Sequence, residues 1–577
     1  MLRSLAFAPA LALGFHAAGC SDDTSSTSSS ASSTSSSSGD ASSSSSGGGS
    51  SSSTGGAGGM GGMAGTGGTG GMGGMAGGGG SGGSSLICEP NTTSACYTGP
   101  AGTQGVGLCV EGTWTCNAQG TGYGPCTGEV VPVAENCATP TDENCNGSGP
   151  DCGAAVWSKR FGDLDGQYGK SVAADAMGNV YVSGHFYGVL DLGAGPMTAT
   201  SLDGFLAKFD PAGNLLWSKH FSGTSSQKAL AVAVDGMGNV VVAGNFLGSV
   251  DFGGGPLTAM DADAFVAKYD ASGNHVWSKQ FGGADVQSIN TVAIDSMNDI
   301  LVGGSFAGTV DFGGGTMTST NVDLFGMKLD DNGNHVWSKH FDQQIGSQPA
   351  LTNVAVDSAG NVAFTGYFFN TVDFGGGPLT SAGSYDVFVG KFGPNGQHLW
   401  SKRFGDTSDE SPTGFGFDGT GNLFIAGGFK GPLNLGGSTL MSAGDNDCWI
   451  AKLDSAGNHQ WSKRFGDAQK QYITGIAVTS TGDLALTVTF GGSIDFGGGP
   501  LTSAGNLDIA IARMDGAGNH VWSLRAGDGV SQSSEAIAFD PAGHVLLTGE
   551  LVGSVDFGTG VLTSAGSADL IVAKLAP

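Results

Sequence analysis

Basic residues are scarce. Lys and Arg number 22 against 50 Asp and Glu, giving a formal net charge of −28. Nucleic acid and anionic lipid surfaces both select for basic proteins, so neither is an expected partner. Charged residues of both signs make up only 12% of the chain. No apolar run approaches the ~20 residues a membrane span needs. The 107 glycines follow no Gly-X-Y period, which excludes collagen. Paired CxxC spacings are missing, which argues against a structural zinc site. No Ser/His/Asp, Cys/His or Glu/Glu set stands out, so nothing demands an enzyme. A chain of 577 residues is too long for one ordinary core, leaving several domains or a repeat array.

The first twenty residues read as an export signal, with one Arg, a short apolar run and then small residues. Ala17-Ala18-Gly19-Cys20 resembles the lipobox of bacterial lipoproteins, which implies that Cys20 is acylated and becomes the N-terminus; plain signal-peptidase cleavage is the alternative. Residues 21–85 are almost wholly Ser, Gly, Thr and Ala, too little apolar surface to offset the entropy of ordering. As a coil they span about 45 Å, a tether that holds a folded part clear of a membrane. Met60, Met63, Met72 and Met75 lie in this spacer and read as low-complexity repeats rather than copper ligands.

Residues 86–152 carry Cys88, Cys96, Cys109, Cys116, Cys126, Cys137, Cys145 and Cys152. An even number in an exported segment predicts four disulfides, with the connectivity left open among 105 choices. The tail "ENCATPTDENCNGSGPDC" resembles a metal-binding motif of bacterial surface proteins, in which acidic residues flank Cys-Asp-Gly units. The resemblance makes Asp142, Glu143 and Asp151, with Glu135, candidates for Ca²⁺; solvated turn carboxylates are the alternative.

From residue 155 to 577 the chain repeats. "WSK" recurs at Trp157, Trp217, Trp277, Trp337, Trp400, Trp461 and Trp522, at intervals of 60 to 63 residues. Between copies stand four short segments rich in Val, Phe and Trp, bounded by Gly, Asn and Asp. This pattern marks strands in a meander. "LAVAVD", "NVVVAGNF", "DAFVAKYD" and "HVWSKQF" show it best. Four strands at such a period are a β-propeller blade, and each strand type can be counted seven times. The chain enters on a fourth strand, at Trp157 and Phe161, and leaves on a third. The N-terminal strand is therefore expected to complete the last blade and close the ring.

"DFGGGPLTSAG", "FVAK" and "WSKRFG" resemble the SBBP-type propeller repeat of bacterial, often myxobacterial-type, surface lipoproteins. That resemblance implies a cell-surface location, on the outer membrane, with a periplasmic or secreted protein as the alternative; it implies little about activity. "AKYDASGNHVW" also looks like the Trp-docking motif of quinoprotein propellers, but inter-blade packing accounts for it without a cofactor.

The long second-to-third connections and inter-blade links are expected to crowd one face, the usual place for function on a rigid scaffold. Asp191, Asp251, Asp311, Asp373, Asp495 and Asp556 open the "DFGGG" unit there, with Asn434 the exception. Each is either a Ca²⁺ ligand, with the Asp that opens the third strand, or a cap on its own loop's amides. His275, His335, His398, His459 and His520 are repeat positions, and Cys448 fills an apolar slot as a free, buried thiol. The expectation is a monomeric, anchored binding or scaffold module for an extracellular protein or glycan, with Ca²⁺ the one cofactor in view. The alternative is a propeller hydrolase or lyase acting on an extracellular polymer.

Overall fold

The computed structural model describes residues 86–133, 141–143, 145, 152–343 and 349–577. The signal segment with Cys20, the 21–85 tether, Cys137 and Asp151 lie outside them. Among the described residues there is no helix, and no segment forms a helix long and apolar enough to cross a membrane.

Seven four-stranded antiparallel sheets follow one another along the chain. Blade 2 is built from Gln227–Val234, Val240–Asp251, Pro256–Tyr269 and His275–Phe281. Its turns form because Asp starts them and Gly turns the corner. Asp235 Oδ1 accepts the amides of Met237 and Asn239, each at 2.9 Å, and Gly238 takes φ +82°. Asp270 does the same for the turn between the third and fourth strands.

Second and third strands lie between neighbouring sheets, so both of their faces are covered. That is why they read as continuous apolar runs rather than alternating ones. "DGFLAKF" of blade 1 is buried throughout. The core lies between blades: Val241, Ala243 and Val266 of blade 2 pack with Ile300, Val302 and Phe325 of blade 3. Each such side chain contributes about 1.5–3 kcal/mol of burial. The seven innermost strands touch one another in sequence and the last touches the first, so the ring is closed around a central channel.

Closure occurs as the repeat count requires. Ala155–Phe161 pairs antiparallel with Asp569–Leu575, with Phe161 opposite Leu570 and Trp157 opposite Lys574. The sheet order in blade 7 runs from the N-terminal strand through the C-terminal strand to the two before it. The N-terminal strand thus supplies the outermost strand of blade 7, so its third strand is not left as an unpaired edge.

Two devices lock blades together. Six of the seven repeat Trp lie over the turn glycine of the next blade, and Trp157 Nε1 donates to Pro211 O at 3.0 Å. Each third strand also buries a cation against the Asp that ends the first strand of its own blade, and in several blades that cation reaches on to the next: Lys208 Nζ donates to Ala271 O at 3.1 Å and Lys268 pairs with Asp331. Lys328–Asp295 is 2.8 Å and Lys574–Asp540 is 2.8 Å. Blade 6 has Thr479 where the others have Asp, and there Arg513 reaches Asp483 instead.

Thr92 and its described predecessors form a small unit with Cys116–Tyr123, joined by the Cys88–Cys116 disulfide. In the other unit, Thr93–Cys96 pairs with Gly112–Thr115, and disulfides join Cys96 to Cys126 and Cys109 to Cys145. Cys152 is also disulfide-bonded. Cys448 is free and fully buried, and burial pushes its thiol up.

Candidate functional site

The "DFGGG" loops are not on the face where the sequence reading placed them. In blade 2 the connection leaves the second strand, bends at Gly248 (φ +77°) and returns as a hairpin with Asp251 opposite Pro256. Its tip meets the first residue of the fourth strand: a Cβ on Gly253 would come within 2.9 Å of His275 Cβ. Phe252 is buried against Phe265, with ring centroids 4.3 Å apart, and against Phe221 of blade 1 at 5.2 Å. Tyr269 Oη donates to Phe252 O at 2.7 Å. Blades diverge with distance from the axis, and this hairpin folds back to fill the widening gap. Packing decides its position, because the Phe must leave water.

The candidate Ca²⁺ ligands follow suit. Asp251 Oδ1 accepts the amides of Gly253 (2.7 Å) and Gly255 (3.0 Å). Asp191, Asp311, Asp373, Asp495 and Asp556 make the same two bonds, and Asn434 makes one, to Gly436. The Asp opening each third strand is buried elsewhere, on the fourth-strand residue of its own blade. Asp569 pairs with Arg160, Asp203 with His220, Asp263 with Gln280, Asp323 with His340, and Asp386, Asp447 and Asp508 with Arg403, Arg464 and Arg525. The two sets of carboxylates are not brought together. In the Cys module, Glu143 accepts from Thr141 Oγ1, and Asp142 offers its backbone carbonyl to the amide of Leu108. The repeat histidines are structural: His275 lies over Gly254 and bonds Ser278 at 3.1 Å.

Repeat symmetry breaks at the channel, at residues that no sequence motif singles out. Every innermost strand carries one bulge at the same place, and the unpaired residues are Lys170, Leu230, Asn290, Thr352, Thr413, Thr474 and Glu535. A bulge re-aims its side chain, and bulges cluster next to functional sites. All seven are half-buried, and several reach the next blade: Asn290 Nδ2 bonds Leu351 O, and Thr352 Oγ1 bonds Pro412 O. They stand near the start of the first strand, the end from which the long connections depart.

The chemistry concentrates in blades 7, 1 and 2. Lys170 Nζ bonds Glu550 at 2.9 Å and Glu535 at 3.2 Å across the blade 7–blade 1 boundary. Its ammonium lies 5.6 Å from the centre of the Tyr168 ring, which packs against His185 with centroids 5.3 Å apart and planes inclined by 36°. Burial would lower the Lys170 ammonium, but Glu535 and Glu550 outweigh it and raise it. Burial pushes Glu535 above the usual carboxylate range, with Lys170 pulling back and Glu550 adding to the rise. Burial, then Lys170 and Lys228, hold His185 neutral, and its Nδ1 has no hydrogen-bond partner. Lys228 has no carboxylate partner among the described residues, and burial together with Lys170 lowers it. The same end carries aromatics: exposed Tyr187 in blade 1, and Tyr367, Phe369 and Tyr385 packed together in blade 4. Aligning the seven repeats by register, one residue at a time, would have exposed this variable ring.

No protein-family model matches the chain. Among curated proteins it is similar to the uncharacterized WD repeat-containing protein L264 of Acanthamoeba polyphaga mimivirus. The two are 22% identical over 506 residues, covering 69% of this chain and 36% of that protein. It is also similar to the regulatory protein FlaEY of Caulobacter vibrioides, 26% identical over 448 residues, covering 71% of this chain and 46% of that one. The chain thus spans less than half the length of these relatives. Among solved structures, an ulvan lyase of polysaccharide lyase family PL25 aligns over 71% of this chain and 97% of its own, with 12% identity and a TM-score of 0.37. At that score the likeness has no bearing on what this chain binds or does.

Proposed function

We propose that this protein is an exported, lipid-anchored surface propeller of the SBBP type, acting as a binding module whose ligand docks at the loop-side end of the central channel. One observation carries the reading. The seven blades repeat their packing residues closely, yet at the bulge three carry Thr while Lys170, Leu230, Asn290 and Glu535 depart from it and from one another in charge and size, and all seven converge on one opening. Half-exposed tyrosines beside a Lys/Glu cluster suit a glycan, which presents apolar ring faces and hydroxyls together. The anchor rests on Cys20 and the tether that follows it.

The test is a glycan and peptide array probed with the non-acylated protein (Cys20→Ser), with and without Lys228→Ala. Glycan binding lost in Lys228→Ala supports the reading. Binding that is unchanged by Lys228→Ala and by Lys170→Ala would place the site elsewhere, and binding to peptides alone would replace the ligand class.

A second reading has a specific observation in its favour. Glu535 raised by burial, beside Lys170 and a neutral His185, is the kind of perturbed set that performs acid–base chemistry. Cleavage of a bound glycan, lost in Glu535→Gln while binding persists, would establish the module as an enzyme.

A further inference from the structure

From the end of blade 3 we infer a divalent transition-metal site, formed by Asp323, His340 and Asp342. One ligand atom from each lies within 4.8 Å of the other two, close enough for small side-chain rotations to bring all three onto one ion. The first two belong to the repeat. Asp323 Oδ2 and His340 Nε2 are 2.6 Å apart, the blade 3 form of the pair that every blade makes. The third does not. Asp342 stands at the position held by Gly162, Gly282, Gly405, Gly466 and Gly527 after the other fourth strands, and by Ser222 after blade 1.

The surroundings differ as well. In other blades a side chain from the next first strand covers the buried Asp: a Cβ on Gly162 would lie 2.2 Å from Gln167 Oε1 and 2.5 Å from Asp569 Oδ1. After blade 3 that register position is Pro349, seven residues before Val356, as Gln167 is before Ala174. Gln343 takes over part of the role, its amide donating to Asp323 Oδ1 at 3.0 Å. The Gln343 side chain, springing from the edge of the cluster, is buried, and neither its nitrogen nor its oxygen has a partner. A buried primary amide without partners calls for an explanation, and an ion or a water bound to it is one.

Two carboxylates and an imidazole, with Asp342 exposed, suit Zn²⁺ and its neighbours better than Ca²⁺, which takes six to eight oxygens. The His340 ring must be neutral to bind metal through Nε2, and Asp323 would then ligate rather than accept its proton.

The experiment uses substitutions that restore what other blades contain, so that the fold is kept. The metal-stripped protein is titrated with Zn²⁺ by calorimetry and with Co²⁺ by visible absorption. Asp342→Gly and His340→Arg should each weaken uptake at least about 100-fold, since even outer-sphere partners are worth roughly 10–100-fold. Both should melt like the parent without metal. His220→Arg, at the blade 1 pair that lacks a third carboxylate, should leave uptake unchanged. The inference is overturned if the parent takes up neither ion, if Asp342→Gly binds like the parent, or if His220→Arg removes the uptake as fully as His340→Arg does.

Discussion

The indole of Trp522 lies directly over Gly153, so close that a Cβ on Gly153 would fall 2.9 Å from Cε3. In the other six blades a Trp covers the glycine of the next blade's tight turn: Trp157 over Gly213, Trp217 over Gly273, Trp277 over Gly333. Blade 7 has no such turn, because its third and fourth strands come from opposite ends of the chain. Gly153, with φ +72°, takes the turn glycine's place, and Ala576 N bonds Ala154 O at 2.8 Å to hold it there. Closure therefore reproduces the inter-blade contact as well as the missing strand. Gly153→Val should cost roughly 2 kcal/mol or more, through both the left-handed backbone and the overlap with Trp522. Thermal melts test it; an unchanged melting temperature would show that the contact does not support the ring.

The buried lysines should be indispensable singly and replaceable in pairs. Lys328→Met leaves Asp295 buried without its cation and should cost about 3–5 kcal/mol. Lys328→Met combined with Asp295→Asn should recover most of that loss. Urea unfolding of the single and double variants decides; equal loss in both would mean that the lysine acts through packing alone.

Blade 5 begins with Glu410 where five other blades carry Gln167, Gln227, Gln287, Gln471 and Gln532. Burial pushes its carboxyl up to about 9, with the Asp406 amide pulling back and the Asp406 and Asp386 carboxylates adding to the rise. The folded protein thus holds a proton that the unfolded chain releases above about pH 4.5. A folded pKa above the unfolded one means stability falls as pH rises between those two values. Glu410→Gln supplies a neutral donor at every pH. Its melting temperature should exceed the parent's by a margin that widens from pH 5 to pH 8.5. A constant margin would show that Glu410 does not titrate in this window.

Asp251→Ala should cost on the order of 1 kcal/mol with no ligand present, because the carboxylate holds the amides of Gly253 and Gly255. Ca²⁺ should move the melt of neither parent nor variant. A rise with Ca²⁺ in the parent alone would restore the carboxylate as a metal ligand.

Cys20→Ala should move the protein from the membrane fraction to the soluble one, since one acyl-bearing residue is the only anchor proposed. Retention of the variant in membranes would refute the anchor.

Strand count, blade count and ring closure were legible in the sequence because they depend on local signals. Asp and Gly mark each turn, Val and Phe mark each strand, and a period of about sixty residues repeats them. Cys448 was legible as a buried thiol for the same reason: its repeat neighbours are all apolar. The fold-back of the "DFGGG" hairpins was not, because nothing local says whether an exposed-looking Asp-Phe-Gly loop faces solvent or a gap between blades. The Lys328–Asp295 and Arg403–Asp386 pairs were missed because their partners lie on different strands. The channel ring was missed because a bulge is a matter of register: Lys170 and Glu535 are 365 positions apart in the chain and 3.2 Å apart in space.

By itself the sequence determined what each repeat becomes, since turn chemistry and apolar periodicity act within a few residues and leave the backbone little choice. The tertiary structure alone decided where chemistry collects. Wrapping seven like units round an axis brings one residue from each to a common opening, and stacking them forces every "DFGGG" phenylalanine out of water and into the gap between blades. Both outcomes depend on distances that exist only once the ring has closed, which is why side chains that look alike along the chain end as spacers at the rim and a charged cluster at the channel.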